Sequence, residues 1–181
     1  MANHVSNYIQ LHGNQAAQDE FKRVFASISD SEHQSLFDLD FLPRLAETGN
    51  VSMDHIGAKW AYVEDAEDEY ASVVSAWSPV LPFIEELGEH LTQFDEDVKI
   101  TCQFEDESYN FVGIGLYEDG EVIQCSEDFD ELVEARLIVL EEKGEEVPED
   151  AEDYDPWEDD DWHDFVNDRQ HAMEVDLMES C

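Results

Sequence analysis

The sequence predicts an α+β fold in which two helices cover one face of an antiparallel sheet. Residues 1–126 contain short runs of alternating or β-branched apolar residues, and two segments with apolar residues at helical spacing interrupt these runs. The resulting order is strand, helix, strand, strand, helix, strand, with an extra hairpin strand added. This order is typical of a sheet with helices on one side. Residues 127–181 are predicted to form an acidic helical C-terminal extension.

The first strand and the first helix are predicted from residues 5–28. Apolar and polar residues alternate over residues 5–11, and His12-Gly13 marks a turn. Asn14 suits a helix N-cap, because its side chain can accept hydrogen bonds from the first free N–H groups. The apolar residues of this helix are Ala17, Phe21, Val24, Phe25 and Ile28. Residues 29–50 are expected to form an irregular insertion that packs by its aromatic side chains.

Five further strands and a second helix follow. Strands are predicted over residues 58–63, 70–77, 98–104, 110–117 and 121–125. Ser78 is the expected cap of the second helix, with Pro79 in its first turn. Asp119-Gly120 predicts a hairpin turn between the last two strands. Trp60 and Trp77 are interpreted as core residues of the sheet.

The extension is predicted to contain two helices joined by an acidic linker. Apolar residues recur at helical spacing over residues 127–143, and Gly144 lies where a helix C-cap is expected. Residues 145–161 have little to bury and are expected to form a solvated linker. Trp162, Phe165, Val166, Ala172 and Met173 are expected to form the apolar stripe of a short last helix.

The net charge is the most unusual property of the sequence. The chain carries 48 acidic and 8 basic residues, which gives a formal charge of −40. Residues 1–126 hold 25 acidic and 5 basic side chains, and residues 127–181 hold 23 and 3, so each part contributes −20. The charge density therefore more than doubles in the extension. The apolar fraction of 42% is nevertheless enough for a core, which argues against a disordered chain.

Several function classes lack the residues that they need. There is no P-loop, GxGxxG or GxSxG motif, so no enzyme, catalytic residue or cofactor is predicted. The sequence has no HExxH, CxxC or EF-hand ligand pattern, and no metal site is predicted. The N-terminal residues resemble no secretion signal, and no apolar run is long enough for a membrane span. Cys102, Cys125 and Cys181 are interpreted as reduced thiols, which favours a cytoplasmic protein.

The acidic extension is the main candidate for a partner-binding surface. Carboxylates steer an encounter with a basic partner, and aromatic side chains anchor interfaces. On the predicted helix the candidates are Asp128, Glu131, Glu134, Glu141 and Glu142. In the following stretch they are Glu152, Asp153, Asp155, Trp157, Glu158, Asp159, Asp160, Asp161, Trp162 and Asp164. A plain acidic tail that confers solubility is the alternative.

A second acidic cluster lies between two predicted strands. It consists of Glu64, Asp65, Glu67, Asp68 and Glu69. Under the functional interpretation this cluster extends the acidic stripe of the extension and contributes to partner binding. Under the alternative interpretation it is a solvated loop.

Four segments carry a resemblance to a known family. They are residues 3–11, Gly57-Ala58-Lys59-Trp60, Ser75-Ala76-Trp77-Ser78-Pro79-Val80-Leu81-Pro82 and Asn110-Phe111-Val112-Gly113. They resemble the YubB-like ferredoxin-like domain family, small proteins carried by plasmids and bacteriophages. The most specific segment is residues 76–79, and the resemblance covers residues 3 to about 125. It implies a ferredoxin-like βαββαβ fold and a mobile-element origin, and it implies no catalytic residues.

The leading functional hypothesis is a phage- or plasmid-encoded inhibitor that imitates nucleic acid. Duplex DNA presents about one negative charge per 1.7 Å of axis, so a folded polyanion can occupy the DNA- or RNA-binding surface of a protein. The expected partner is a basic nucleic-acid-binding host protein, a restriction nuclease or CRISPR effector, and neither nucleic acid itself nor a membrane.

Two alternatives to this hypothesis remain open. In the first, the charge is an adaptation to a salty cytosol on a housekeeping or regulatory domain. In the second, the chain is a metal-dependent module whose site is hidden among the carboxylates.

Overall fold

Six antiparallel strands form one sheet, and helices pack on both of its faces in the computed structural model. The structure describes residues 3–28, 34–145, 147–148 and 151–180, with the backbone alone for Glu152 and Ser180. The α+β class and the antiparallel sheet predicted from the sequence are confirmed.

The strands lie in the order β2-β3-β1-β4-β5-β6, and each pair of neighbours is antiparallel. The strands are β1 His4–His12, β2 Ala61–Ala66, β3 Tyr70–Ala76, β4 Lys99–Asp106, β5 Phe111–Glu118 and β6 Glu121–Asp128. The helices are α1 Gln15–Ala26, α2 Leu81–Leu91, α3 Phe129–Lys143 and α4 Trp162–Ser180. The runs predicted over residues 110–117 and 121–125 both form strands, β5 and β6, so two strands and not a single extra one follow β4. The predicted boundary after residue 126 falls inside β6.

The first face of the sheet, which carries α1 and α2, holds the larger core. Val5, Asn7, Ile9 and Leu11 are buried, whereas the residues between them are more exposed, as a period of two requires. The buried side chains of α1 and α2 that meet these strands include Phe21, Val24, Phe83, Ile84 and Leu87. The predicted pair of helices on one face is therefore present.

The N-terminus of α1 is capped as predicted, and that of α2 is not. The Asn14 side chain accepts hydrogen bonds from the N–H groups of Ala16 and Ala17 at 2.8 and 3.2 Å. Helix α2 begins at Leu81, and its N-cap, Val80, has no side-chain hydrogen bond. The Ser78 hydroxyl instead donates to the carbonyl of Gly57 at 2.5 Å. The prediction of Ser78 as a helix cap is wrong, because this hydroxyl holds a loop.

A buried polar network joins the segments that resemble the YubB-like family. The Asn7 side-chain amide donates to the carbonyl of Val73 at 3.1 Å and to the hydroxyl of Ser75 at 3.0 Å. Its oxygen accepts the N–H of Val80 at 3.0 Å, and Ser75 donates to the carbonyl of Ser78 at 2.7 Å. Since buried polar groups need such partners, these residues fix where α2 leaves the sheet.

The second face is covered over β5 and β6 by α3 and α4. A smaller core joins Val112 of β5 to two residues of α3, Leu132 and Val133, and to Trp162, Phe165 and Val166 of α4. The Gln170 side chain donates to the carbonyl of Phe104 at 3.0 Å, which ties α4 to β4. Helix α4 has 19 residues, so the prediction of a short last helix is wrong in length.

Turn and cap residues of the second half lie as predicted. Asp119 and Gly120 have φ values of 53° and 89°, the conformation that a tight hairpin turn requires. Gly144 ends α3 with a φ of 74°, a left-handed conformation that glycine adopts without strain.

The insertion is irregular where the structure describes it. Residues 29–33 lie outside the described residues. In the remainder, Leu36 and Leu39 are fully buried, whereas Phe37 and Phe41 are only partly buried at the edge of the core. The insertion therefore packs by its leucines and also by aromatic side chains as predicted, since Phe41 contacts the rings of Phe83 and His90.

Candidate functional site

Two acidic residues at the start of α3 have a structural role, because they cap this helix. The Asp128 side chain accepts the N–H of Glu131 at 3.0 Å, and the Glu131 side chain accepts the N–H of Asp128 at 2.9 Å. This reciprocal capping box satisfies two N–H groups that the helix leaves free. Asp128 and Glu131 are exposed, but their carboxylates are engaged, while Glu134, Glu141 and Glu142 are exposed further along the helix.

Residues 151–161 are held against α3 by a buried ion pair. Arg136, whose side chain is 4% exposed, donates to the two carboxylate oxygens of Asp159 at 2.7 and 3.0 Å. The hydroxyl of Tyr154 donates to the same carboxylate. Two short 3₁₀ turns, Ala151–Asp153 and Pro156–Glu158, lie on either side of Tyr154. The prediction that residues 145–161 form a solvated linker is therefore wrong for residues 151–161.

The ion pair shifts the acid–base properties of its members. The hydrogen bonds from Arg136, followed by that from Tyr154, lower the pKa of Asp159 to about 2. Burial, and then the hydrogen bond to Asp159, raises the pKa of Tyr154 to about 12. Both shifts favour the charged carboxylate beside a neutral phenol, so the pair stays intact at neutral pH.

Two predicted partner-binding residues are internal. Trp162 is 3% exposed and packs in the second core, with its ring centre 6.0 Å from that of Tyr154. Asp159 is committed to Arg136 as described. The prediction that Trp162 and Asp159 contribute to a surface is wrong, because the extension needs both to pack.

The other candidates of this stretch remain on the surface, and we call them, with Glu134, Glu141 and Glu142 of α3, the C-terminal acidic surface. Its members between α3 and α4 are exposed in the structure, and the indole of Trp157 is 65% exposed beside them. They are Asp153, Asp155, Glu158, Asp160 and Asp161, and the surface also includes the exposed Asp164 in the first turn of α4. Nothing is described of the Glu152 side chain. Asp155 also accepts the N–H of Trp157 at 3.0 Å, which fixes the second 3₁₀ turn.

The second acidic cluster lies at the opposite edge of the sheet. Glu64, Asp65, Glu67, Asp68 and Glu69 are all exposed around the turn from β2 to β3. Strand β2 is five strands from β6, which corresponds to about 24 Å at the usual strand spacing. The cluster instead faces α1, where Lys22 pairs with Asp68 at 2.5 Å. The prediction that it extends the stripe of the extension is therefore wrong.

Basic side chains are largely used within the fold. Seven of the eight Lys and Arg residues, all in the described part of the chain, make contacts there. Lys22, Arg23, Lys99, Arg136 and Arg169 pair with carboxylates, Arg44 donates to backbone carbonyls, and Lys59 lies over the Trp77 ring. Few cations are left to offset the exposed carboxylates or to contact phosphate.

An exposed aromatic group on the second face was missed from the sequence. The rings of Trp60 and Tyr62 stack with centres 5.5 Å apart and an angle of 23°, and His4 meets Trp60 at 5.4 Å. Tyr62 is 39% exposed and Tyr8 is 38% exposed. Successive side chains of a strand lie on opposite faces of the sheet. Tyr8 therefore lies on the face opposite to the one on which Val5 and Ile9 are buried.

The interpretation of both tryptophans as core residues is wrong. Trp77 is 52% exposed and has a positive φ of 64°, which turns it out of the strand. Trp60 is half-buried on the second face. Trp60 directly precedes β2, and Trp77 directly follows β3. At such positions the alternation of apolar and polar residues does not show on which face the ring lies.

The described residues contain neither a metal-ligand cluster nor a membrane-spanning helix. No group of three His, Cys, Asp or Glu side chains is arranged there to hold a metal ion. Within the same residues, no helix combines the length and the apolar character needed to cross a bilayer.

Comparisons with known proteins give no assignment. No family model, curated protein or solved structure matches this chain. The resemblance to YubB-like domains stays a prediction from its motifs. In the structure, Asn7, Gly57, Ser75 and Ser78 of those motifs make the polar network around the start of α2, which is a structural use.

Proposed function

We propose that this protein is an acidic inhibitor that imitates nucleic acid and occupies the DNA- or RNA-binding surface of a host defence protein. We further propose a phage or plasmid origin, a host-cytoplasmic site of action and no enzymatic activity. The partner class is a basic restriction nuclease or CRISPR effector.

The observation that carries the proposal is that the C-terminal acidic surface is displayed on an ordered scaffold. The Arg136–Asp159 pair and the second core position residues 153–164 beside α3. Carboxylates carried on an ordered backbone lose less conformational freedom on binding than those of a flexible tail. They can therefore act as phosphates do on a duplex, as an array to which Arg and Lys side chains pair.

The use of the basic side chains supports the same proposal. Arg136 and Arg169 bind internal carboxylates, Asp159 and Glu127, and so strengthen the extension from within. Of the outer surface, Arg136 also approaches Asp161, at 4.0 Å. The surface thus keeps a long-range attraction for basic partners, which raises the rate of encounter. Trp157 adds an exposed aromatic contact that salt does not screen.

The order of the first four strands supports a ferredoxin-like unit. We infer that β1, α1, β2, β3, α2 and β4 form a βαββαβ unit with sheet order β2-β3-β1-β4, to which β5 and β6 add at the β4 edge. This unit agrees with the resemblance to YubB-like domains and with an origin on a mobile element. The unit supports the proposed mobile-element origin, and it indicates no catalytic activity or binding site.

The proposal is tested by inhibition of DNA cleavage. Purified protein is added to a panel of restriction nucleases and CRISPR effector complexes, and cleavage of a plasmid is followed at low and at physiological salt. We expect at least one member to be inhibited at near-stoichiometric concentration, and excess duplex DNA to relieve the inhibition. Absence of inhibition across the panel, or inhibition that duplex DNA does not relieve, contradicts the proposal.

A matched pair of variants separates a placed surface from bulk charge. Both variants neutralise four exposed carboxylates with the isosteric amide, so their net charges are equal. The surface variant carries Glu134→Gln, Glu141→Gln, Glu142→Gln and Asp160→Asn. The control variant carries Glu47→Gln, Glu85→Gln, Glu89→Gln and Glu96→Gln, outside the extension. We expect only the surface variant to lose inhibition. Equal loss in both indicates bulk charge, as in a salt-adapted domain.

A further inference from the structure

Among the residues that the structure describes, no helix packs on the second face of the sheet over β2 and β3. Helices α3 and α4 pack over β5 and β6, and α4 reaches β4 through Gln170. Beyond that edge Tyr8 and Tyr62 keep 38% and 39% of their surface exposed. We call this area, with Trp60 and Val74, the open half-face.

Strand register arranges the open half-face in rows. Tyr62 lies opposite Val74, Val74 opposite Ser6, and Ser6 opposite Glu105, so one row runs from an aromatic ring to a carboxylate. In the next row Tyr8 lies between Ser72 and Gln103. Side chains in one row are about 5 Å apart, within reach of a single bound segment.

Carboxylates surround the aromatic rings. Glu105 is half-buried at the end of the Tyr62 row, and Glu107 approaches His4 at 3.7 Å beside Trp60. Burial raises the pKa of Tyr8, and the charge of Glu105 raises it further, which agrees with their places in adjacent rows of the sheet. The rim of the open half-face is thus negative and its centre is aromatic.

We propose that the open half-face binds an arginine-bearing cationic segment of a protein partner. Guanidinium groups are planar and weakly hydrated, so they stack on exposed rings and pair with carboxylates at the same time. Tyr8 and Glu105 lie on adjacent strands in adjacent rows, so they present both kinds of partner within reach of one long side chain. This proposal rests on the proposed function, from which it takes the basic partner. It adds a second surface of this chain that contacts that partner.

Charge complementarity selects this occupant over others. A single nucleic-acid strand also stacks on aromatic rings, but its phosphates would meet Glu105 and Glu107. A second copy of this chain would place two negative faces together. Lysine satisfies the carboxylates but stacks on aromatic faces less well than arginine. The open half-face therefore discriminates between the two basic side chains, whereas acidic groups alone do so weakly.

The test compares nona-arginine with nona-lysine as fluorescent peptide probes. Titration by anisotropy at about 0.3 M salt reduces the contribution of distant charges. The variants are Tyr62→Leu and Trp60→Leu, which keep an apolar side chain and remove the ring face. Phe94→Leu is the matched control, because Phe94 is 40% exposed beside α2, away from the open half-face. Melting curves confirm that each variant is folded.

We expect the wild-type protein to prefer nona-arginine, and each ring substitution to reduce that preference about two- to fivefold. Phe94→Leu should leave the preference unchanged. An unchanged preference in Tyr62→Leu and Trp60→Leu overturns the proposal. If cleavage inhibition in the panel persists in that case, the proposed function stands while this inference fails.

Two further measurements test the other two occupants, a single nucleic-acid strand and a second copy of this chain. A fluorescent single-stranded oligonucleotide of fifteen thymidines is titrated under the same conditions, and binding that depends on Tyr62 overturns the proposal in favour of nucleic acid. Sedimentation velocity measures self-association, and a dimer that Tyr62→Leu dissociates overturns it in favour of a second copy. If the protein is a monomer and does not bind the oligonucleotide, the result supports a cationic protein segment as the occupant.

Discussion

The two faces of the sheet are covered by helices of different character. On the first face, α1 and α2 contribute large apolar side chains. These form a single core with the sheet, which includes Leu11 of β1 and Leu91 of α2. On the second face, α3 and α4 carry so many carboxylates that only a small apolar cluster joins them to β5, and two arginines, Arg136 and Arg169, add ion pairs.

This difference shows how a chain of such charge can fold. Hydrophobic burial stabilises the unit with the lower density of excess acid, and the more acidic elements are added where paired arginines supplement a small core. The first face determines the stability of the fold, and the second face displays the charge. The following predictions test that division, from the largest expected effect to the smallest.

Removing a large side chain from the first core should have the greatest effect. Phe83 is fully buried between α2 and the sheet. Phe83→Ala should lower the free energy of unfolding by about 3–5 kcal/mol, because it removes buried area and leaves a cavity. Urea unfolding followed by circular dichroism measures this change. A loss below about 1 kcal/mol would show that the first core is not the main source of stability.

Breaking the ion pair of the second face should have a smaller effect. One unit of pKa corresponds to about 1.4 kcal/mol. The pKa of Asp159 is lowered from 3.8 to about 2 in the folded protein. After allowance for partial solvent screening, Asp159→Asn should cost about 1–2 kcal/mol at neutral pH. Urea unfolding of both proteins at pH 7 gives the difference.

The same ion pair predicts a pH dependence. A lowered folded pKa contributes stability that is fully present above the unfolded value near 3.8 and is lost as the pH falls towards about 2. The stability difference between wild type and Asp159→Asn should therefore shrink over this window. A difference that stays constant from pH 7 to pH 2 would show that the carboxylate charge contributes nothing.

Loss of the α3 cap should have an effect of about 1 kcal/mol. Asp128→Ala removes the acceptor for the N–H of Glu131 and exposes the first turn of α3 to fraying. Asp130→Ala is the matched control, since Asp130 lies in the same turn without the capping contact. Hydrogen exchange of the first-turn amides should rise in the former variant only. Equal protection in both would mean that the capping box does not hold the helix.

Neutralising the C-terminal acidic surface should barely change stability. The surface variant defined above replaces four exposed carboxylates, and removing like charges relieves repulsion, so a change within about 0.5 kcal/mol or a small gain is expected. Thermal unfolding at low and at high salt measures it. A large loss would assign these carboxylates to structure and weaken the mimicry proposal.

Local patterns predicted the elements whose causes are local. The alternation in β1, the Asn14 cap, the Asp119-Gly120 turn and the Gly144 cap all depend on neighbouring residues, and the structure contains each of them. The antiparallel α+β class followed from the order of such elements.

Long-range pairing could not be predicted in the same way. Asp159 stands in a run of three aspartates, and only the position of Arg136, 23 residues earlier, makes it the buried one. The ring of Trp162 was assigned to the surface because its neighbours are acidic, yet tertiary packing buries it. The open half-face required the sheet register. Through β3, it places Tyr62 of β2, and Trp60 just before β2, on the same face as Tyr8 of β1.

The central claim is that carboxylates of the C-terminal acidic surface stand in for phosphates on a basic partner. The most direct test measures the affinity of the wild-type protein, the surface variant and the matched control variant for an inhibited nuclease, over a series of salt concentrations. We predict that the surface variant alone binds much more weakly and has a shallower salt dependence. Equal affinities and equal salt slopes for the two variants would contradict the claim.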